Sequence, residues 1–290
     1  MGLITIKRMP APEPMLSTAA RSWPTGGDWV LQPKWDGFRC LVESGSDHRV
    51  RGWSRHGTSL GDSMASVLAE CGSLPRGTIL DGELIALSEK DGRPVQDFAA
   101  VRRAVFTADI ASQRMLRYVA FDVLKVEDQD LRGHGWQERD ALLRQIVHDS
   151  ESIRPIATLP ASEAAHAAIV RLGFEGSVLK RPTSLYRSGR HASWRKLKAR
   201  YTTTVMLRAV HHARDGQLFA VCELDGRRVT AVAGTSTQEL IGQPIQLAYS
   251  RVDADGTLRA ARVAATNPDP LNRMQLDADR DDHEPRDAPS

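Results

Sequence analysis

Cysteine is scarce in this chain of 290 residues, and the three present, Cys40, Cys71 and Cys222, lie far apart with no C-x-x-C pair. That argues against a disulfide framework and against a zinc finger, and it fits a reducing compartment. No apolar run is long enough to span a bilayer. The opening segment MGLITIKRMPAPEPM has no apolar core followed by small residues, so no secretory signal is read there. No internal repeat is visible. Large apolar groups are nearly missing from residues 267–290, which hold seven acids and three arginines, a net of −4. Such a segment cannot bury enough surface to offset its ordering entropy, and a disordered acidic tail is expected.

What remains is ordinary globular composition, 41% hydrophobic and 26% charged, with a net charge of +3. Setting the tail aside leaves +7 on residues 1–266. A basic body is consistent with a polyanionic partner and equally with plain solubility.

Periodicity divides the chain. Residues 1–28 read as an extended lead-in with prolines at 10, 12, 14 and 24. Strands are expected at 29–43, 48–53, 78–87, 116–124 and 176–180. Helices are expected at 62–71 with Asp62 as N-cap, around 95–104, at 137–149 with one apolar side, and at 162–172. This mixed order indicates an α+β domain rich in antiparallel pairing. From residue 202 to 266 the texture changes to short strands punctuated by Asp215-Gly216, Asp225-Gly226 and Asp255-Gly256, a strong hairpin signal. Its size suits a small all-β barrel of the oligonucleotide-binding (OB) type. The domain boundary is placed near residue 201.

The stretch LQPKWDGFRCLV, residues 31–42, sets Lys34, Asp36 and Gly37 inside an apolar run. Read as one strand, it points Lys34 and Asp36 to the same face and Trp35 to the other. A lysine buried there is costly unless it is paired or does chemistry. Further along come Ser54-Arg55-His56-Gly57, Asp81-Gly82-Glu83, Phe121-Asp122, Glu175-Gly176 and Trp194-Arg195-Lys196-Leu197-Lys198. One candidate nucleophile, two candidate metal carboxylates, several cations and a ring suit attack by an amine on a phosphate. Taken singly, Phe121 reads as core, Asp81 and Asp122 as structural, and Trp35 and Trp53 as packing residues. From Lys180 to Arg200 there are eight Lys or Arg and no acid, with Tyr186 and Trp194 interleaved, which reads as a phosphate-contacting run.

The ordered set KWDGFR, SRHG, DGEL, YVAFD, EGSVLK and WRKLK resembles the motifs of the covalent nucleotidyltransferase superfamily. It is most similar to the short bacterial ATP-dependent DNA ligases that lack an N-terminal DNA-binding domain. The resemblance implies a nucleotidyltransferase (ATP-grasp-like) adenylation domain over 1–201 and an OB-fold barrel over 202–266. It implies that Lys34 attacks the α-phosphate of ATP and carries AMP, which then passes to a 5′-phosphate at a nick before the 3′-hydroxyl attacks. Arg39 and Arg55 would hold the ribose and the DNA 5′-phosphate, Glu83 the ribose or a metal, and Glu175 a divalent metal, Mg2+ or Mn2+. Phe121 would stack on adenine, and Lys196 and Lys198 would grip the α-phosphate with Arg190 nearby. The implied setting is a cytoplasmic, nucleoid-associated monomer acting on nicked duplex DNA in repair, with repair partner proteins and no membrane.

Two departures stand out. Family members usually have glutamate two residues before the lysine, where this chain has Gln32. An amide can donate as well as accept, so weaker selection between ATP and GTP is expected. The usual basic C-terminal motif is also reduced, to Arg259 and Arg262 in GTLRAARVAATNPD. An RNA ligase or GTP-using capping enzyme shares the lysine chemistry, and a non-catalytic nick-binding module is a third reading.

Overall fold

The structure is a computed structural model describing residues 13–20, 22–45, 47–90, 92–252 and 258–264. The acidic tail lies outside the described residues. The chain divides into two compact units, one holding Thr25–Leu197 with the residues up to Ala20, the other the remainder.

The first unit is built on two sheets. The smaller runs Met15–Ala19, Gly189–Lys198, Gly176–Lys180, Val30–Pro33, Leu159–Pro160 in spatial order, with the first pair parallel. The larger has the spine Val50–Ser54, Phe38–Ser44, Ile79–Lys90, Leu116–Val126, Gln129–Asp130. Arg93–Gln96 pairs with Ile79–Lys90, and Ile153–Pro155 runs parallel to Leu116–Val126. Leu116–Val126 is buried on both faces, which explains its nearly unbroken apolar sequence. Its alternate residues enter two different cores. Tyr118, Ala120 and Val123 pack with Leu84, Val101 and Leu143 on the helical side. Val119, Phe121 and Leu124 join Met15, Tyr186 and Trp194, so this second core is shared by residues of both sheets.

The expected strand at 29–43 is interrupted. Val30–Pro33 ends at the proline, 34–37 are irregular, and the chain resumes as Phe38–Ser44. Lys34 and Asp36 therefore do not share a strand face. Gly37 explains the local geometry, because a Cβ there would sit 2.2 Å from the Leu84 carbonyl oxygen. The expected helix at 62–71 is also corrected. Asp62 lies in a 3-10 turn, Gly61–Ser63, and the α-helix Ala65–Glu70 starts from Met64 without a side-chain cap. Leu60 and Met64 are both buried, so apolar anchoring fixes this start. Asp97 and Ser162 do cap their helices, Phe98–Phe106 and Glu163–Arg171, through bonds to Ala100 and Ala165 N–H. The helix expected to reach 149 is Trp136–Ile146; Val147 turns extended and buried.

The second unit contains a closed five-stranded barrel: Tyr201–His212, Leu218–Leu224, Arg227–Ala233, Arg262–Val263 and Pro244–Tyr249. Leu218, Ala220 and Cys222, with Val229, Ala231 and Leu247, point inward at the strand period. The turn at Asp225-Gly226 has φ of 49° and 73°, as a tight hairpin requires. Asp255-Gly256 lies outside the described residues, although Arg251–Val252 and Leu258–Arg259 on either side of it pair antiparallel. Among the described residues, no helix is long and apolar enough to cross a membrane.

Candidate active site

A cleft opens in the first unit, lined by residues of both sheets, among them Gln32, Lys34, Arg39, Glu83 and Trp194. Lys34 lies where the Val30–Pro33 strand ends, its backbone N–H held by the Gly176 carbonyl at 2.8 Å. Its ammonium donates to Glu175 Oε2, across 141 positions of sequence. Both side chains are partly exposed, 26% and 20%, and Lys34 lines the cleft. Glu175 is placed by the start of Gly176–Lys180, which pairs with Val30–Pro33.

Sheet register sets the next group. Arg39 stands directly across from Glu83 on the neighbouring strand, with Asp81 on the diagonal. Arg39 forks onto Asp81, Nε to Oδ1 at 2.5 Å and Nη2 to Oδ2 at 2.6 Å. Tyr186 donates to Asp81 Oδ2 at 2.5 Å and accepts the Met15 N–H at 3.0 Å, while Arg39 Nη2 reaches the Met15 carbonyl. The result is a closed ring of bonds joining the two sheets. Burial works against the Arg39 charge, but Asp81 outweighs it and raises the pKa above the ordinary range. The guanidinium also lies 4.4 Å from the Phe121 ring centroid. Phe121 lines the cleft, nearly buried, with Arg39 stacked on it. Desolvation pushes the Glu83 carboxyl up to about 7, against the pull of Arg39 and Lys34.

Lys180, the first residue of the basic run, lines the cleft. It is 2% exposed, donates to the Phe121 carbonyl at 2.9 Å and sits 3.9 Å from the Trp194 ring. Burial draws its pKa down to about 7, with Asp122 opposing. The available signal was the alternation in EGSVLK, which sends Val178 and Lys180 to one face; both line the cleft.

Gln32 lines the cleft at 1% exposure, and its Nε2 donates to Thr158 Oγ1 at 3.0 Å. Thr158 Oγ1 also accepts from Arg144 Nη2 at 2.9 Å. One N–H of the amide is thereby engaged with the protein, leaving its second N–H and its carbonyl oxygen as the groups with which Gln32 would meet a base.

Other candidates stand apart. Arg55 is exposed in the turn after Val50–Ser54 and does not line the cleft. Arg190 is exposed and bonds the carbonyl of Ser17, itself a cleft residue. Lys196 does not line the cleft, though strand alternation puts it on the same face as Trp194, two residues before it. Lys198 is the exposed last residue of that strand.

The described residues hold no cluster of three or more metal-ligating side chains. A divalent ion here needs phosphate oxygens and water to complete its shell, which is how Mg2+ is commonly bound beside one or two carboxylates. Glu83 and Glu175, close enough to influence each other's charge, fit that pattern. The cations Lys34, Arg39 and Lys180 and the rings of Phe121 and Trp194 fit a nucleotide.

The fold matches that of a solved structure titled mycobacterial DNA ligase D complexed with ATP and MES, with TM-score 0.57 and 24% identity over 89% of this chain and 95% of that one. It is a nucleotidyltransferase ligase-domain fold together with a closed barrel. Residues 14–198 match the family model of the ATP dependent DNA ligase domain, and the chain belongs to that family. It is 30% identical to a probable DNA ligase of Streptomyces griseus over 226 residues, 71% of this chain and 44% of that protein. It is 36% identical to the multifunctional non-homologous end joining protein LigD of Pseudomonas aeruginosa over 181 residues, 60% of this chain and 20% of the relative. The chain therefore spans less than half the length of these curated relatives.

Proposed function

We propose that this chain is an ATP-dependent DNA ligase that seals nicks in duplex DNA through a lysyl-AMP intermediate, in DNA repair. The observation that carries the reading is Lys34 paired with Glu175 in a cleft lined with cations and rings. In the first step Lys34 Nζ bonds to the α-phosphorus of ATP as the bond from that phosphorus to pyrophosphate breaks. The departing proton has an acceptor in place, Glu175 Oε2. Arg39, and Lys180 in its protonated form, set positive charge along the cleft wall, where developing phosphate charge is best stabilised. Asp81 and Tyr186 hold Arg39 so that little reorganisation is needed at the moment of reaction.

Glu83 and Glu175 would hold Mg2+ or Mn2+, which supplies charge neutralisation at the phosphate oxygens. Arg55, Arg190, Lys196 and Lys198 belong in this reading to DNA and phosphate contact outside the cleft. Residues 1–201 are assigned to adenylation and 202–266 to an OB-fold domain. The protein acts as a monomer on the cytoplasmic nucleoid, alongside repair partners of unidentified kind.

Nicked DNA and nicked RNA of one sequence, each with a 5′-phosphate, test the assignment in the presence of ATP and Mg2+. Sealed DNA on a denaturing gel is the expected product. Preferential sealing of RNA would move the chain to the RNA ligases, and adenylated protein that seals neither would refute nick sealing.

A further inference from the structure

The smaller sheet has a second face, which the adenylation chemistry leaves unused. Along Gly189–Lys198 the strand period sends Trp194 into the cleft and Arg195 to the other side. Lys180 lines the cleft, and Arg181 follows it with its N–H still bonded to the Ser193 carbonyl at 3.0 Å, so it takes the opposite side too. Both guanidinium groups rest on one ring. Their Cζ atoms lie 4.5 Å and 4.9 Å from the centroid of Trp29.

The ring is a fixed platform. Trp29 Nε1 donates to the Gly26 carbonyl at 3.1 Å. Arg181 Nη1 packs so close to Gly27 that a Cβ at that position would meet it at 2.7 Å. Neither arginine forms an ion pair with a carboxylate among the described residues, and the nearby Asp28 forms none there either. Stacking on an indole orients a guanidinium without neutralising it. Two oriented like charges on one ring, both within a run of 21 residues with no acid, make a surface that favours an anion.

We propose that Trp29, Arg181 and Arg195 form a docking surface for backbone phosphates of duplex DNA, separate from the nucleotide cleft. The proposal rests on the DNA-ligase reading. These residues do not line the cleft, and Arg181 is exposed, so a lone phosphate would meet no enclosing wall. A duplex supplies successive phosphates to the two guanidinium forks at once, each fork suited to bidentate contact. Base stacking is disfavoured because the ring already carries the arginines.

The test uses the full chain and a fluorescent nicked duplex titrated across a range of NaCl concentrations, with α-labelled ATP uptake measured in parallel. The double variant Arg181→Gln/Arg195→Gln should weaken binding at least tenfold at low salt. The magnitude of the slope of log K against log salt should fall by about two, roughly 0.9 for each phosphate that is no longer neutralised. Label uptake should stay at the wild-type level. Should the double variant fail to fold, Arg195→Gln alone is read, with a fall of about one in slope. Trp29→Phe keeps both charges, so it should weaken binding with the slope nearly unchanged. Wild-type slope and affinity in the arginine variants would overturn the proposal. A wild type that takes no label would instead sink the ligase reading, and the slopes would still decide whether these arginines meet DNA.

Discussion

Replacing Asp81 with asparagine should destabilise the first unit and loosen one wall of its cleft. Asp81 is completely buried and accepts two bonds from Arg39 and one from Tyr186. Asparagine keeps the shape but loses the charge, and its amide nitrogen must face a donor. Removing one partner of a buried ion pair costs roughly 3–5 kcal/mol. Arg39 is 18% exposed, so some of its charge can be rehydrated, and the lower end, about 3 kcal/mol, is expected. For a unit of this size that is a fall in Tm of roughly 6–12 °C. Tyr186→Phe is milder, about 1–2 kcal/mol, because it removes a neutral donor from Asp81 and strands the Met15 N–H while the ion pair stays. Thermal unfolding followed by near-ultraviolet circular dichroism reads both. Adding Arg39→Met to Asp81→Asn should recover part of the loss, since the unpaired charge is gone. A Tm for Asp81→Asn within about 2 °C of wild type, well short of that fall, would refute the argument that the ring of bonds anchored on Asp81 ties the sheets together.

Two further outcomes follow from the cleft. Thr158→Val removes the acceptor of that Gln32 N–H and frees it as a further donor to the base. Preference for ATP over GTP in label uptake should then fall, while Thr158→Ser and Gln32→Glu keep it; an unchanged preference in Thr158→Val would mean that Gln32 does not read the base. Lys180 is protonated up to about 10.5 when unfolded but only to about 7 when folded, through burial, with Asp122 and Asp140 raising its pKa and Arg39 lowering it. Between those values the unfolded chain binds the extra proton, so stability rises with pH. Urea unfolding of wild type relative to Lys180→Met should show that gain, up to about 1.4 kcal/mol per pH unit, and a flat difference would contradict the burial argument.

Much of the fold is legible where the signal is local. Leu116–Val126 is apolar on both faces, and Asp225-Gly226 announces its hairpin. The strand Met15–Ala19 is hidden in a proline-rich lead-in, because its partner, Gly189–Lys198, is more than 170 positions away and leaves no periodic trace locally. Lys34 and Glu175 stand out through the order of the motifs, whereas their contact is a product of sheet pairing. Asp81 looks like an isolated structural acid in the sequence. Its part in holding Arg39 depends on Tyr186 and Met15, which only the fold brings together. Gln32 is readable from its chemistry alone, but the neighbour that fixes its amide is Thr158, just before the edge strand Leu159–Pro160.

The central claim is that Lys34 Nζ takes AMP from ATP. Wild type and Lys34→Ala, each shown to be folded, are incubated with α-labelled ATP and Mg2+ and run on a denaturing gel. The account predicts label that stays with the wild-type polypeptide and is absent from Lys34→Ala. Label of equal intensity on Lys34→Ala would contradict it, because another residue would then be the nucleophile.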